Sequence, residues 1–185
     1  DKLSDMTDLP ALTRRLVSFA SEFALEGNIW QQWLSYMIMT DENAFSLACE
    51  RREVTEEATL LKLAEPDLYK FMDLMKMDPV PGLSDYKAPY KDSVMTAQGK
   101  RIAELSEKLA SAADISEFCS LVTGAYAVHG AGMYGLYRAF RLNSTPSGKA
   151  EILPVIETSD VSFDELVGYD EHKRVLKENT EAFLR

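Results

Sequence analysis

Apolar residues recur every three or four positions through the first two-thirds of this chain, and that spacing commits it to helices packed through one face. Leu12, Leu16, Phe19 and Phe23 form the first stripe. Such positions lie one above another on a helix and must be buried against a neighbour. Gly27-Asn28 predicts the end of that helix, and Asn28 is placed to cap a second one carrying Ile29, Trp30, Trp33, Leu34, Met37 and Ile38. A third is predicted to start at Asp41 or Asn43 and to carry Phe45, Leu47, Ala48 and Cys49. Thr55-Glu56-Glu57 leads into Ala58, Leu60, Leu61 and Leu63. Pro66 suits the first turn of a further helix with Leu68, Tyr69, Phe71, Met72, Leu74 and Met75. The prolines and glycine between Asp78 and Tyr90 predict an irregular loop. Periodicity resumes with Ile102, Leu105 and Leu109 after a weak point at Gly99, and Asp114 caps the stripe of Ile115, Phe118, Leu121, Val122 and Tyr126. The expected core includes Leu16, Phe19, Trp33, Leu61, Phe71, Leu105, Phe118 and Leu121.

The pattern changes at Gly130. Gly130-Ala131-Gly132-Met133-Tyr134-Gly135 reads as a tight or flexible turn, and Leu136 to Leu142 alternates as a strand does. Asn143 to Gly148 is a turn cluster, and Glu151 to Ile156 suits a partner strand, with Pro154 marking an edge. The predicted fold class is therefore mainly α. It comprises a multi-helix domain over 1–129, a glycine-rich turn and small β-hairpin over 130–157, and a linker with a C-terminal helix over 158–185. That last helix carries an apolar stripe of Val175, Leu176, Thr180, Phe183 and Leu184, which invites self-association if nothing else covers it.

Composition narrows the function classes. With 46% hydrophobic residues the chain can build a core, while its net charge of -10 argues against nucleic-acid partners. The basic pairs Arg14-Arg15, Arg51-Arg52 and Lys100-Arg101 are scattered among acids and read as solvated faces. No apolar run reaches the roughly eighteen residues of a membrane span, so no membrane partner is expected. Asp1-Lys2-Leu3-Ser4-Asp5 does not resemble a signal peptide. Cys49 and Cys119 sit in apolar helical patterns and read as buried thiols in a reducing, cytoplasmic compartment.

Few motifs carry chemistry. Gly130, Gly132 and Gly135 spell a dinucleotide fingerprint, but a helix precedes them and a strand is expected to follow, the reverse of the order that fingerprint needs. His129-Gly130-Ala131-Gly132 is like an esterase oxyanion loop, yet no nucleophile elbow accompanies it, so a hydrolase using His129 is disfavoured. His129, His172, Cys49 and Cys119 lack metal-ligand spacing, so no metal site and no catalytic residue is assigned. The aromatic and methionine residues of Trp30 to Met39 and Phe71 to Met77 suit either core packing or a partner groove, with core packing favoured. No Walker loop occurs, so hydrolysis of ATP by this chain alone is not expected.

The stretch from Gly132-Met133-Tyr134-Gly135-Leu136-Tyr137-Arg138-Ala139-Phe140-Arg141, through Leu153-Pro154-Val155, to Phe163-Asp164-Glu165-Leu166-Val167-Gly168-Tyr169 and Glu178-Asn179-Thr180-Glu181-Ala182-Phe183-Leu184 resembles a bacterial family of AAA-type ATPases of unknown function. The resemblance spans about Gly130 to Leu184 and is weak over 1–129. It implies that the chain ends just before a Walker loop and precedes its own ATPase module. It also implies that Val167 and Gly168, with Tyr169 beside them, contribute to part of an adenine pocket. ATP and Mg would then be cofactors of the longer protein and not of this chain. The implied role is regulatory or adaptor: recognising an unidentified protein partner or positioning the ATPase. The alternative is an independent acidic helical module for protein–protein interaction.

Overall fold

The computed structural model describes residues 8–53, 59–88, 95–144, 148–155 and 167–183. They form eight helices and two strands: α1 Leu9–Phe23, α2 Ile29–Thr40, α3 Ala44–Glu50, α4 Thr59–Met75, α5 Ala97–Ala110, α6 Ile115–His129, α7 Gly132–Leu136, β1 Phe140–Ser144, β2 Ala150–Pro154 and α8 Asp170–Phe183. The chain divides into two compact units, 1–155 and 156–185. The mainly helical class with a small hairpin and a C-terminal helix is as the apolar spacing predicts.

In the first unit α2 is the central helix, packed by α1, α4, α5 and α7, while α3 and α4 lie on α6. Leu12, Leu16, Phe19 and Phe23 of α1 are all buried, as are Ile102, Leu105 and Leu109 of α5 and Phe118 and Val122 of α6. Burial of these stripes supplies the main favourable term in folding. Asn28 and Asp114 cap α2 and α6 by accepting from the amides of Gln31 and Glu117. Of the two candidate starts for α3, Asn43 is the cap, in a reciprocal box with Ser46.

Polar groups of α2 also tie helix ends together. Trp30 Nε1 donates to Leu74 O and Gln31 Nε2 to Met75 O, each at 2.8 Å. These are carbonyls of the last turn of α4, which lack partners within that helix. At the other end of α2, the buried Tyr126 hydroxyl donates to Ile38 O at 2.7 Å.

Four details differ from the sequence-based expectation. First, α1 ends at Phe23 and not at Gly27-Asn28. Ala24 takes a left-handed φ of 51°, and the Leu25 amide bonds back to Ala20 O, which places Leu25 fully in the core. Second, Pro66 lies inside α4 and does not start a new helix. Pro66 and Lys62, one turn before it, are both exposed, so the carbonyl that proline leaves unbonded can be met by water. Third, Trp33, Leu61, Phe71 and Leu121 are half-buried at the margin of the core, unlike Leu16, Phe19, Leu105 and Phe118. Fourth, the first strand begins at Phe140, because Gly132–Leu136 coils into one helical turn.

The hairpin pairs antiparallel, with Phe140 opposite Pro154 and Ser144 opposite Ala150. Residues 78–88 are irregular, as expected, and are held by a two-way backbone bridge between Gly27 and Tyr86. The predicted start of α4 at 55–58 and the linker at 158–162 lie outside the described residues.

Both thiols are free and buried. Burial pushes Cys49 up to about 11 and also raises Cys119, where Glu65 adds to the effect. At neutral pH only about one Cys49 in ten thousand would be thiolate. Ellman's reagent is therefore expected to leave the native protein unmodified for hours and to titrate both thiols in denaturant. Rapid native modification would show that α3 or α6 opens readily.

Candidate functional site

An apolar groove of about 770 Å³ lies between α2, α3 and α4 of the first unit. That volume is within the range of about 300–1,000 Å³ typical of ligand sites. Its walls follow from helix geometry. Positions 60, 64, 67, 71 and 74 of α4 share one face, and positions 30, 33, 34 and 37 of α2 share another. Facing each other, these stripes leave Trp33, Met37, Leu60, Phe71 and Leu74 only half-buried, and Leu63 is 68% exposed. Trp30 forms a buried base, with its ring centroid 5.7 Å from that of Trp33.

The rim is polar. Asp41 accepts from Asn43 Nδ2 at 2.7 Å, and Asp67 pairs with Lys70 at 2.9 Å. The two readings of the aromatic and methionine stretches therefore apply to different residues. Met39, Met72 and Met75 belong to the core, Trp30 and Ile38 are core residues that also floor the groove, and Trp33, Met37, Phe71 and Leu74 form its half-buried walls. The helical spacing marks both sets but does not say which edge of each stripe remains uncovered.

The glycine-rich turn is structural. Gly130 closes α6 with a φ of 79°, and Gly132 has a φ of 65°. A Cβ on Gly135 would stand 2.6 Å from Gly130 O and 3.2 Å from Met39 O, so this segment folds tightly against the end of α2. The Arg101 guanidinium fastens it, with Nη1 donating to Gly135 O at 3.0 Å and Leu136 O at 3.3 Å. His129 ends α6 beside this turn and lines a second cleft with Arg101, Glu104 and Lys108. Burial lowers its pKa, and Arg101, Arg138 and Lys108 lower it further. This cluster escaped the sequence reading, since Lys100-Arg101 looks like any other scattered basic pair until α5 and α6 pack together.

Val167, Gly168 and Tyr169 belong to the second unit and directly precede α8. Val167 is 94% exposed and Tyr169 76%. Gly168 and Tyr169 have left-handed φ values of 81° and 59°, and Tyr169 O accepts from the Lys173 amide at 2.9 Å. Together they make the turn that launches α8. Along α8, Arg174 pairs with both Glu171 and Glu178, while Val175 and Leu176 stay 41% and 52% exposed. Leu184 and the side chain of Phe183 lie outside the described residues. Among the described residues no cluster of metal-ligating side chains occurs and no helix is long and apolar enough to cross a membrane. Compared with the sequence models of known families, with curated proteins and with solved structures, the chain matches none.

Proposed function

We propose that this chain is a partner-recognition domain on the N-terminal side of an AAA-type ATPase module, and that its groove receives an amphipathic helix from a partner protein. One observation carries this reading: the groove between α2 and α4 keeps apolar walls, including Trp33, Met37, Leu63 and Phe71, in contact with solvent. A stripe of large apolar residues on a partner helix would bury that surface. Asp41 on the rim, in a chain of net charge -10, favours a partner helix with Lys or Arg flanking its apolar face.

The ATPase part of the reading is supported by the sequence from Gly130 to Leu184. In it, Val167 and Gly168, with Tyr169 alongside, contribute to an adenine pocket completed beyond Arg185, where ATP and Mg would bind. The reading frame past Arg185 should then encode a Walker loop within a few dozen residues. The alternative, a free-standing acidic interaction module, needs the same groove but no Walker loop.

A photo-crosslinking amino acid at Lys70, on the groove rim, tests the groove in the full-length protein. The crosslink is expected to fall on a basic amphipathic helix. Calorimetry with that partner, produced separately, should show at least about tenfold weaker binding to Leu63→Glu, because the new carboxylate loses water in an apolar interface. Unchanged affinity in Leu63→Glu overturns the groove as the site. A crosslink to a second copy of the chain replaces recognition of a partner with self-association.

A further inference from the structure

The cleft where α5 and α6 meet the glycine-rich turn has the makings of a second site. Its volume is about 340 Å³, enough for a small molecule. Leu121 and Val128 offer an apolar wall, while Arg101, Lys108 and His129 gather at its polar side with Glu104 the lone acid among its lining residues. Arg138 stands close enough to both Arg101 and His129 to disfavour charge on each. Three fixed cations thus act on His129 against one carboxylate, inside a chain whose net charge is -10. Glu42 and Glu50 face the glycine turn at Gly132 and Gly130 and are not among the charges that act on His129.

Arg101 supplies a specific reason for a ligand. Its Nη1 is fixed by two carbonyls of α7, which orients the whole planar guanidinium. Its Nε is buried, and among the described residues no acceptor lies within hydrogen-bond reach. A buried donor without an acceptor is costly and rare in native proteins. Burial also disfavours the Arg101 charge. An incoming anion beside the guanidinium would offset the cost to its charge, and the apolar wall would take up a hydrocarbon body.

From this geometry we propose that the cleft binds a small organic anion, a carboxylate or phosphomonoester carrying an apolar body, with Arg101 and Lys108 as its main charge partners. His129 flanks the anion and gains a proton more readily once the anion's charge is present.

Phenyl phosphate and benzoate are suitable probes, with phenol and inorganic phosphate as controls, followed by amide NMR shifts and calorimetry on the whole chain. Saturable shifts confined to α5, α6 and 130–138 are expected for at least one of the two anions. Whichever binds more tightly identifies a phosphoryl or a carboxylate ligand. Phenol and inorganic phosphate should each bind at least about tenfold more weakly, since each lacks one half of the recognition. Lys108→Gln, an exposed position, should weaken the better anion about fivefold, and added salt should weaken it further. Arg101→Lys keeps the charge but not the planar fork, and should also lose affinity. The proposal is overturned by phenol binding as tightly as the anions, by shifts outside this cleft, by unchanged affinity in Lys108→Gln, or by no saturation below about 10 mM.

Discussion

Replacing Phe118 with alanine is expected to destabilise the helical unit by about 3–5 kcal/mol. Phe118 is 0% exposed and stands among the largest fully buried side chains, on the face of α6 turned into the core. Removing the ring sacrifices its burial and leaves a space that neighbouring helices can close only in part. A loss of several kcal/mol is a large fraction of the stability of any domain of this size. Urea denaturation followed by tryptophan fluorescence would register it, since Trp30 and Trp33 lie in the same unit. The midpoint should fall sharply with little change in slope. A loss below about 1 kcal/mol would mean that the core closes around the space or that this face of α6 packs more loosely than the structure shows.

The second large effect concerns a glycine. Gly99→Ala is expected to cost about 2 kcal/mol, although alanine is the better helix former by about 1 kcal/mol. A Cβ at Gly99 would collide with Phe23 O and stand 2.9 Å from Met95 Cγ and 3.2 Å from Thr96 Oγ1. The first of these is backbone, and it is held in place. The Thr96 amide and hydroxyl both donate to Phe23 O at 3.3 Å, while Thr96 Oγ1 accepts from the Gly99 amide at 2.9 Å. The cap of α5 is thereby seated on the last carbonyl of α1, and a methyl group would push the two helices apart. Gly124→Ala in α6 makes the comparison, because a Cβ there meets nothing within 4 Å. It should stabilise by about 0.5–1 kcal/mol through helix propensity alone. Thermal melts of the two variants should therefore move in opposite directions. Stabilisation in both would show that α1 and α5 do not approach so closely.

Gly99 illustrates where sequence reading stops. As one residue it is a weak point in a helical pattern, and its use depends on a carbonyl in a helix far away along the chain. Pro66 is similar: placing proline at a first turn is sound local chemistry, but α4 runs through it on an exposed face, where water can meet the carbonyl that proline leaves free. The end of α1 was displaced for the same kind of reason. Leu25 is drawn into the core, and Ala24 accepts a left-handed conformation to allow it.

Neither site was fully legible. Trp33 and Phe71 belong to apolar stripes and were expected inside, yet they form groove walls because no further helix among the described residues covers that edge of α2 and α4. The basic cluster of Arg101, Lys108, His129 and Arg138 comes from α5, the end of α6 and the segment after α7. Nothing local distinguishes those residues from solvated charges.

Local sequence suffices for the apolar faces of most of the longer helices, the caps at Asn28 and Asp114, the hairpin and the burial of the two thiols. Each of these depends on residues within a few positions of one another, or on apolar periodicity that any partner would satisfy. Tertiary structure alone decided which edge of each stripe is covered, where glycine is sterically required, and which charges meet. Those outcomes depend on how helices cross, and crossing is settled by the joint packing of side chains that are remote in the chain.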